Sequence, residues 1–152
     1  QYHDDDSLLH FGMQSLDGIY RFLSTQVKAK QTLAQDGISF PITGGRGLVI
    51  ETGNDDVLKV GQKQGFVLVA RKDSQTGHVR IKARPDAPLD LKPMHEYVQE
   101  HDAEAEWFYH ASGKMLLNSS NKKRNQQASK LSLVKLKETL ETLYPADEAK
   151  PE

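Results

Sequence analysis

The chain contains no cysteine, so neither a disulfide framework nor a thiolate metal site is open to it, and the redox compartment is left undetermined. No apolar run approaches the roughly 20 residues that cross a bilayer, and the first residues do not read as a signal peptide. A cytoplasmic protein without a membrane partner is therefore the expectation. The chain starts at Gln1 rather than Met, from which a processed chain or a piece of a longer protein is expected. Net charge is scarce as well. With 20 Lys and Arg against 21 Asp and Glu, the formal charge is -1, and nothing global calls for nucleic acid.

Charge is instead segregated along the chain. From Trp107 to Lys137 there is no acid, while Lys114, Lys122, Lys123, Arg124, Lys130, Lys135 and Lys137 are basic. The preceding stretch carries Asp86, Asp90, Glu96, Glu100, Asp102, Glu104 and Glu106. Such segregation gives a near-neutral protein a local positive surface, and that surface is where an anionic ligand is sought.

At 152 residues the chain suits one domain with appendages. The reading divides it into a helical segment or linker at 1–40, an α/β domain at 41–144 and an acidic, Pro-containing tail at 145–152 that is expected to be mobile. The run Asp4-Asp5-Asp6 after His3 reads as a helix-capping or solvated segment rather than a metal site, since consecutive residues cannot all converge on one ion. Leu9, Met13, Leu16, Ile19, Tyr20, Leu23 and Val27 recur at spacings of three and four, the pattern of an amphipathic helix, with Gly12 and Gly18 as the places where it would break. Gly37 ends that helix, and Pro41, Gly44, Gly45 and Gly47 make the next stretch a loop. A glycine loop that wraps phosphate follows a strand and opens a helix; this one precedes the strand Leu48-Val49-Ile50 and is read as a turn.

Asn54 or Asp55 can cap a short helix through Val57 and Val60. Phe66 to Ala70 is a continuous apolar run, as in a strand covered on both faces. It pairs in a hairpin with His78 to Arg84, where alternation puts Val79, Ile81 and Ala83 on one face and Arg80, Lys82 and Arg84 on the other. The cationic face is either solvated or a ladder for successive anionic groups. Pro93 opens a helix with Met94, Tyr97, Val98 and His101 inward. Trp107 to His110 and Lys114 to Asn118 are short strands joined by Ala111-Ser112-Gly113. Ser132 caps a last helix whose buried stripe is Leu133, Leu136, Leu140 and Leu143, with Leu131 and Leu136 as a hydrophobic staple. The sum is an α/β fold with a mixed sheet of about five strands, flanking helices, a long N-terminal helix and a C-terminal one.

For nucleophilic catalysis Ser112 would need His110 as its base, but the G-x-S-x-G elbow is absent. His3, His10, His78, His95, His101 and His110 are scattered, and the nearest approach to ligand spacing is His95 with Glu96 and Glu100. No catalytic or metal-binding residue is assigned. Anion binding is better served: His110, Ser112, the amide of Gly113, Lys114, Asn118 and Ser119 can supply donors to a phosphate-sized group. Trp107 and Tyr109 either stack a base beside it or pack in the core, and core packing is the expectation for Trp107 and Phe108.

The succession GLVIETG, a short helix, FVLVA, GHVRIKARPD, LDLKPMHEYV and a ligand turn resembles the C-terminal, substrate-binding domain of DHH-family phosphoesterases, including oligoribonuclease and exopolyphosphatase-like members. The resemblance covers Gly47 to Leu117. In that family the turn is usually a glycine-rich GGGH stretch; here the place reads HASGKMLLNSS. The resemblance implies that the phosphate role passes to His110, Ser112, Gly113 and Lys114, with Arg80 or Arg84 from the neighbouring strand. It also implies that the metal-binding aspartates and the Asp-His-His motif belong to a separate catalytic domain, which would hold Mn or Mg. No cofactor is expected in this chain. The expected function is to position a nucleotide or short single-stranded oligonucleotide for hydrolysis by that domain, without activity of its own. The alternative is a protein-interaction or regulatory module docking through its first helix, and a homo-oligomer is compatible with either.

Overall fold

The computed structural model describes the backbone of residues 5–118 and 127–147, and side chains from residue 13 onward within those ranges. Helix α1 (Asp5–Asp36) is followed by strands β1 (Ile38–Ile42) and β2 (Gly45–Glu51), helix α2 (Val57–Lys63), strands β3 (Leu68–Lys72) and β4 (Val79–Ala83), helix α3 (Lys92–His101), strands β5 (Phe108–Tyr109) and β6 (Met115–Leu117), and helix α4 (Leu133–Leu143). The strands form one six-stranded mixed sheet in the order β1-β2-β3-β4-β6-β5. Only β2 and β3 are parallel, and α2 is the crossover between them.

The α/β class with a mixed sheet agrees with the sequence reading, and the additional strand is β1, expected as loop because of Pro41. That strand lies at the sheet edge, where a missing N–H removes no ladder bond on the open side, and Pro41 pairs opposite Arg46. Gly47 faces the Phe40 ring so closely that a Cβ would lie 2.7 Å from it, which is why the third position of β2 is glycine. Helix α1 runs unbroken through Gly12 and Gly18. The hydroxyl of Ser132 accepts the Lys135 amide, as the capping pattern predicts.

Two apolar layers sandwich the sheet unequally. On one side Phe40, Val49, Leu68, Ala70, Ile81 and Leu116 pack with Met94 and Val98 of α3 and Leu136 and Leu140 of α4. On the other, Leu48, Ile50 and Val69 meet Ala29 and Leu33 of α1 and Val57, Leu58 and Val60 of α2. The second layer reaches only β2 and β3. Among the described residues no helix covers the α1 and α2 side of β4, β6 and β5, and that asymmetry positions the site.

Residues 145–147, read from the sequence as the start of a mobile tail, are tied to the β1–β2 turn. Thr43 donates its hydroxyl to the Pro145 carbonyl at 2.6 Å, and the Gly44 amide donates to Asp147 Oδ2 at 3.0 Å.

Candidate functional site

Period two decides which way each candidate side chain points. On β4, Val79, Ile81 and Ala83 are buried while Arg80 and Lys82 are half-exposed. Register places Lys82 opposite Met115 and Arg80 opposite Leu117, and Phe108 opposite Leu117. The uncovered half of the sheet therefore presents Arg80 and Lys82 from β4, Met115 and Leu117 from β6, and Phe108 from β5, with His110 continuing that face. Phe108 is 55 % exposed, and its ring meets the His110 ring edge-on at 6.4 Å. The sequence expectation that Phe108 packs in the core is corrected: the core-facing aromatics of this strand are its neighbours Trp107 and Tyr109.

The cations do not converge on one pocket. Arg80 donates Nη1 to both oxygens of Asp55 at 3.2 and 3.3 Å. Asp55 also pairs with the buried Arg71 at 3.1 Å, so Arg80 leans toward the end of β3. Lys82 makes no side-chain hydrogen bond or ion pair with any described residue. Arg84, past the end of β4, holds Asp86 through Nε at 2.9 Å and through Nη2.

Lys114 points the other way. The amide of Ala83 donates to the Lys114 carbonyl, which gives Lys114 the parity of the buried Leu116. Its ammonium donates to the carbonyl of Ala87 at 2.7 Å and to that of Leu89. Expected as a phosphate ligand, Lys114 instead ties together the 87–89 loop on the α3 side, because alternation sends its side chain to the core face of the sheet.

Asn118 is corrected in the same manner. It is fully buried, donates Nδ2 to the carbonyls of Glu106 and Gln127 at 3.1 and 3.2 Å, and accepts the Ser129 amide on Oδ1 at 2.8 Å. An amide with donors and acceptor all engaged has little left for a ligand. It closes the base of the connection between β6 and α4. Ser119, the next candidate, lies outside the described residues.

The 110–114 turn is internally satisfied. The Ser112 amide donates to His110 Nδ1 at 3.0 Å. An N–H only donates, so Nδ1 is the acceptor and the imidazole carries its proton on Nε2. The Ser112 hydroxyl lies 2.8 Å from the same nitrogen and accepts the Lys114 amide at 3.2 Å. His110 and Ser112 do meet, yet no described carboxylate orients the imidazole through Nε2. The Gly113 amide, expected to face a phosphate, donates to the His110 carbonyl. Gly113 has φ +75°, and a Cβ there would lie 2.7 Å from Asp90 Oδ2, so the turn requires glycine twice over.

Behind that turn is a polar knot the sequence did not disclose. The Tyr109 hydroxyl donates to Asp90 Oδ1 at 2.5 Å and the Lys92 amide to the same oxygen at 2.7 Å. The Tyr109 bond, then the Lys92 amide, hold the Asp90 carboxyl below its ordinary range. Tyr109 stacks on His95 with centroids 5.2 Å apart, so one face and the hydroxyl of that ring are already engaged. Tyr144 reaches in from the end of α4, donating to the Asp90 carbonyl at 2.7 Å while the Met94 amide donates to its oxygen.

Burial pushes the Tyr144 phenol up to about 12 from its ordinary 10. The neutral form is the one the fold favours, so its stabilisation is complete below pH 10 and is lost as pH rises toward 12. Allowing for the solvent that still reaches the ring edge, the loss is roughly 1–2 kcal/mol. Urea unfolding across that range is expected to show this slope in the natural chain and a flatter one in Tyr144→Phe.

Among the described residues no group of three or more His, Asp or Glu side chains is arranged to hold a metal ion, and no helix is long and apolar enough to cross a membrane. Fold and site together define an α/β domain with a half-open mixed sheet that displays cationic, aromatic and imidazole side chains. No family model, curated protein or solved structure matches the chain.

Proposed function

We propose that this domain binds a nucleotide or short single-stranded oligonucleotide on the open half of its sheet. In this reading it is the substrate-positioning domain of a DHH-like phosphoesterase whose hydrolysis is performed by Mn or Mg ions in a separate catalytic domain. The observation that carries the reading is Lys82, which bonds to no described residue and lies on the face that no described helix covers, with Arg80 beside it and the exposed Phe108 ring two strands away. A phosphate takes the ammonium of Lys82, a base stacks on Phe108, and the proton on His110 Nε2 is a further donor to the same backbone. The basic Lys122-Lys123-Arg124 run follows β6 in sequence and adds sequence-independent attraction.

Fluorescence anisotropy with labelled mononucleotides and short RNA, at low and at moderate salt, tests the proposal. Binding is expected to weaken with salt, because each phosphate contact releases counterions. Lys82→Glu is expected to lower affinity about ten-fold or more, and Phe108→Ala about five- to 100-fold, as for loss of one stacked base. Lys114→Met is expected to leave affinity within about two-fold, since its ammonium serves the 87–89 loop on the opposite face. Absence of salt-sensitive binding, or affinity unchanged by both face variants, overturns the proposal. Loss of binding in a folded Lys114→Met protein would return the site to the 110–114 turn.

A further inference from the structure

Helix α1 carries a second surface that the sheet site does not use. Met13, Leu16, Ile19, Tyr20, Leu23 and Val27 are each more than half exposed, Tyr20 reaching 72 %. The domain holds the helix by another face, through Ala29 and Leu33. Ala29 follows Tyr20 by nine positions, which at 100° per residue sets it about 180° round the helix. The stripe thus points away from its own domain, and no bend of the chain within a straight helix would bring it back.

The spacing is that of a coiled-coil seam. From Leu9 through Met13, Leu16, Tyr20, Leu23 and Val27 the steps are four, three, four, three and four, the 3.5-residue period that keeps one seam on a facing helix. A stripe covering a flat sheet would follow 3.6 and broaden. Flanking positions are Asp17, Ile19, Ser24, Gln26 and Gln31, so no ladder of like charge opposes self-pairing. Between Met13 and Val27 the only charges are Asp17 and Arg21, which gives a foreign acidic or basic partner no handle. A neutral, self-complementary seam is what a two-fold symmetric contact needs. Covering the exposed stripe removes roughly 700–800 Å² per copy, close to the ~800 Å² per partner of an ordinary stable interface.

We propose that the protein is a homodimer held by α1 of one copy packing along α1 of a second. The two domains then lie on the outer sides of the helix pair, with both open sheet faces left free. Sedimentation equilibrium or light scattering of the full chain across the micromolar range tests this. A mass of two chains is expected for the natural sequence, and a dissociation constant at least about 100-fold weaker for Leu16→Lys combined with Leu23→Lys, two exposed positions that leave the fold intact by circular dichroism. Gly18→Ala lies outside the seam with no neighbour within 4 Å of the added Cβ, and is expected to keep or tighten the dimer by stabilising the helix. A single-chain mass at every concentration overturns the proposal, as does a dimer indifferent to both Leu substitutions; nucleotide binding by the monomeric variant is read separately and bears only on the sheet face.

Discussion

Asp102→Ala is expected to lower the stability of the domain by about 3–4 kcal/mol, measured as a shift in the urea midpoint with an unchanged slope. Asp102 stands at the end of α3 and is 3 % exposed. Its Oδ2 accepts Trp107 Nε1 at 3.0 Å and the Ser129 hydroxyl at 2.6 Å, and its Oδ1 accepts the Lys130 amide at 3.1 Å. Truncation strands the buried Ser129 hydroxyl and leaves the part-buried Trp107 and Lys130 N–H groups without their acceptor, and that loss outweighs the gain from removing a buried charge. Asp102→Asn keeps the shape but turns an N–H₂ toward a donor, so about half of the loss is expected. The consequence reaches beyond α3: Ser129 to Leu131 lead directly into the Ser132 cap, and Lys72 adds a bond from β3 to the Leu131 carbonyl at 2.5 Å. Without Asp102 the entry of α4 loses its main tether to the α3 end of the sheet. An unchanged midpoint would show that the three donors find other partners and that this carboxylate does not organise the region.

The layout of the sheet was legible wherever hydrophobicity alternated. Val79, Ile81 and Ala83 against Arg80 and Lys82 gave β4 and both its faces, and the unbroken apolar run through Val67 to Ala70 gave a strand with a core on each side. Pro41 hid β1, because proline argues against a strand and says nothing about whether that strand lies at an edge.

Two of the candidate side chains fall on the other face of the sheet for a reason of parity. Lys114 and Asn118 are chemically apt for an anion, but both share the parity of Leu116, the one fully buried residue of β6. Counting by twos from Leu116 assigns them inward, and counting from Lys82 across the register assigns Met115 and Leu117 outward. The same rule separates Phe108 from Trp107 and Tyr109. Residue type suggested the candidates, and strand phase decides which face each of them occupies. The stripe of α1 was equally visible, but the face that holds α1 to the domain is marked only by Ala29 and Leu33. A small residue admits close helix approach without raising the apolar pattern, so the docking face and the displayed face could not be told apart by hydrophobicity alone.

Asn118→Ala distinguishes the two roles assigned to that residue. As a phosphate donor it would be dispensable to folding, and its loss would weaken binding at an unchanged midpoint. Its three bonds to Glu106, Gln127 and Ser129 predict the opposite: a loss of about 3 kcal/mol in stability, with affinity preserved at temperatures where the variant remains folded. The partner Ser129 makes the case sharper, because its amide serves Asn118 while its hydroxyl serves Asp102. Residues that share a partner are not independent, and a double-mutant cycle of Asn118→Ala with Asp102→Ala is expected to show coupling of about 0.5–3 kcal/mol. The second substitution costs less than it would alone, since the 127–131 segment is already released by the first. Strict additivity would mean that the two anchors hold separate pieces of chain. Coupling would mean that one latch fixes both the end of β6 and the start of α4.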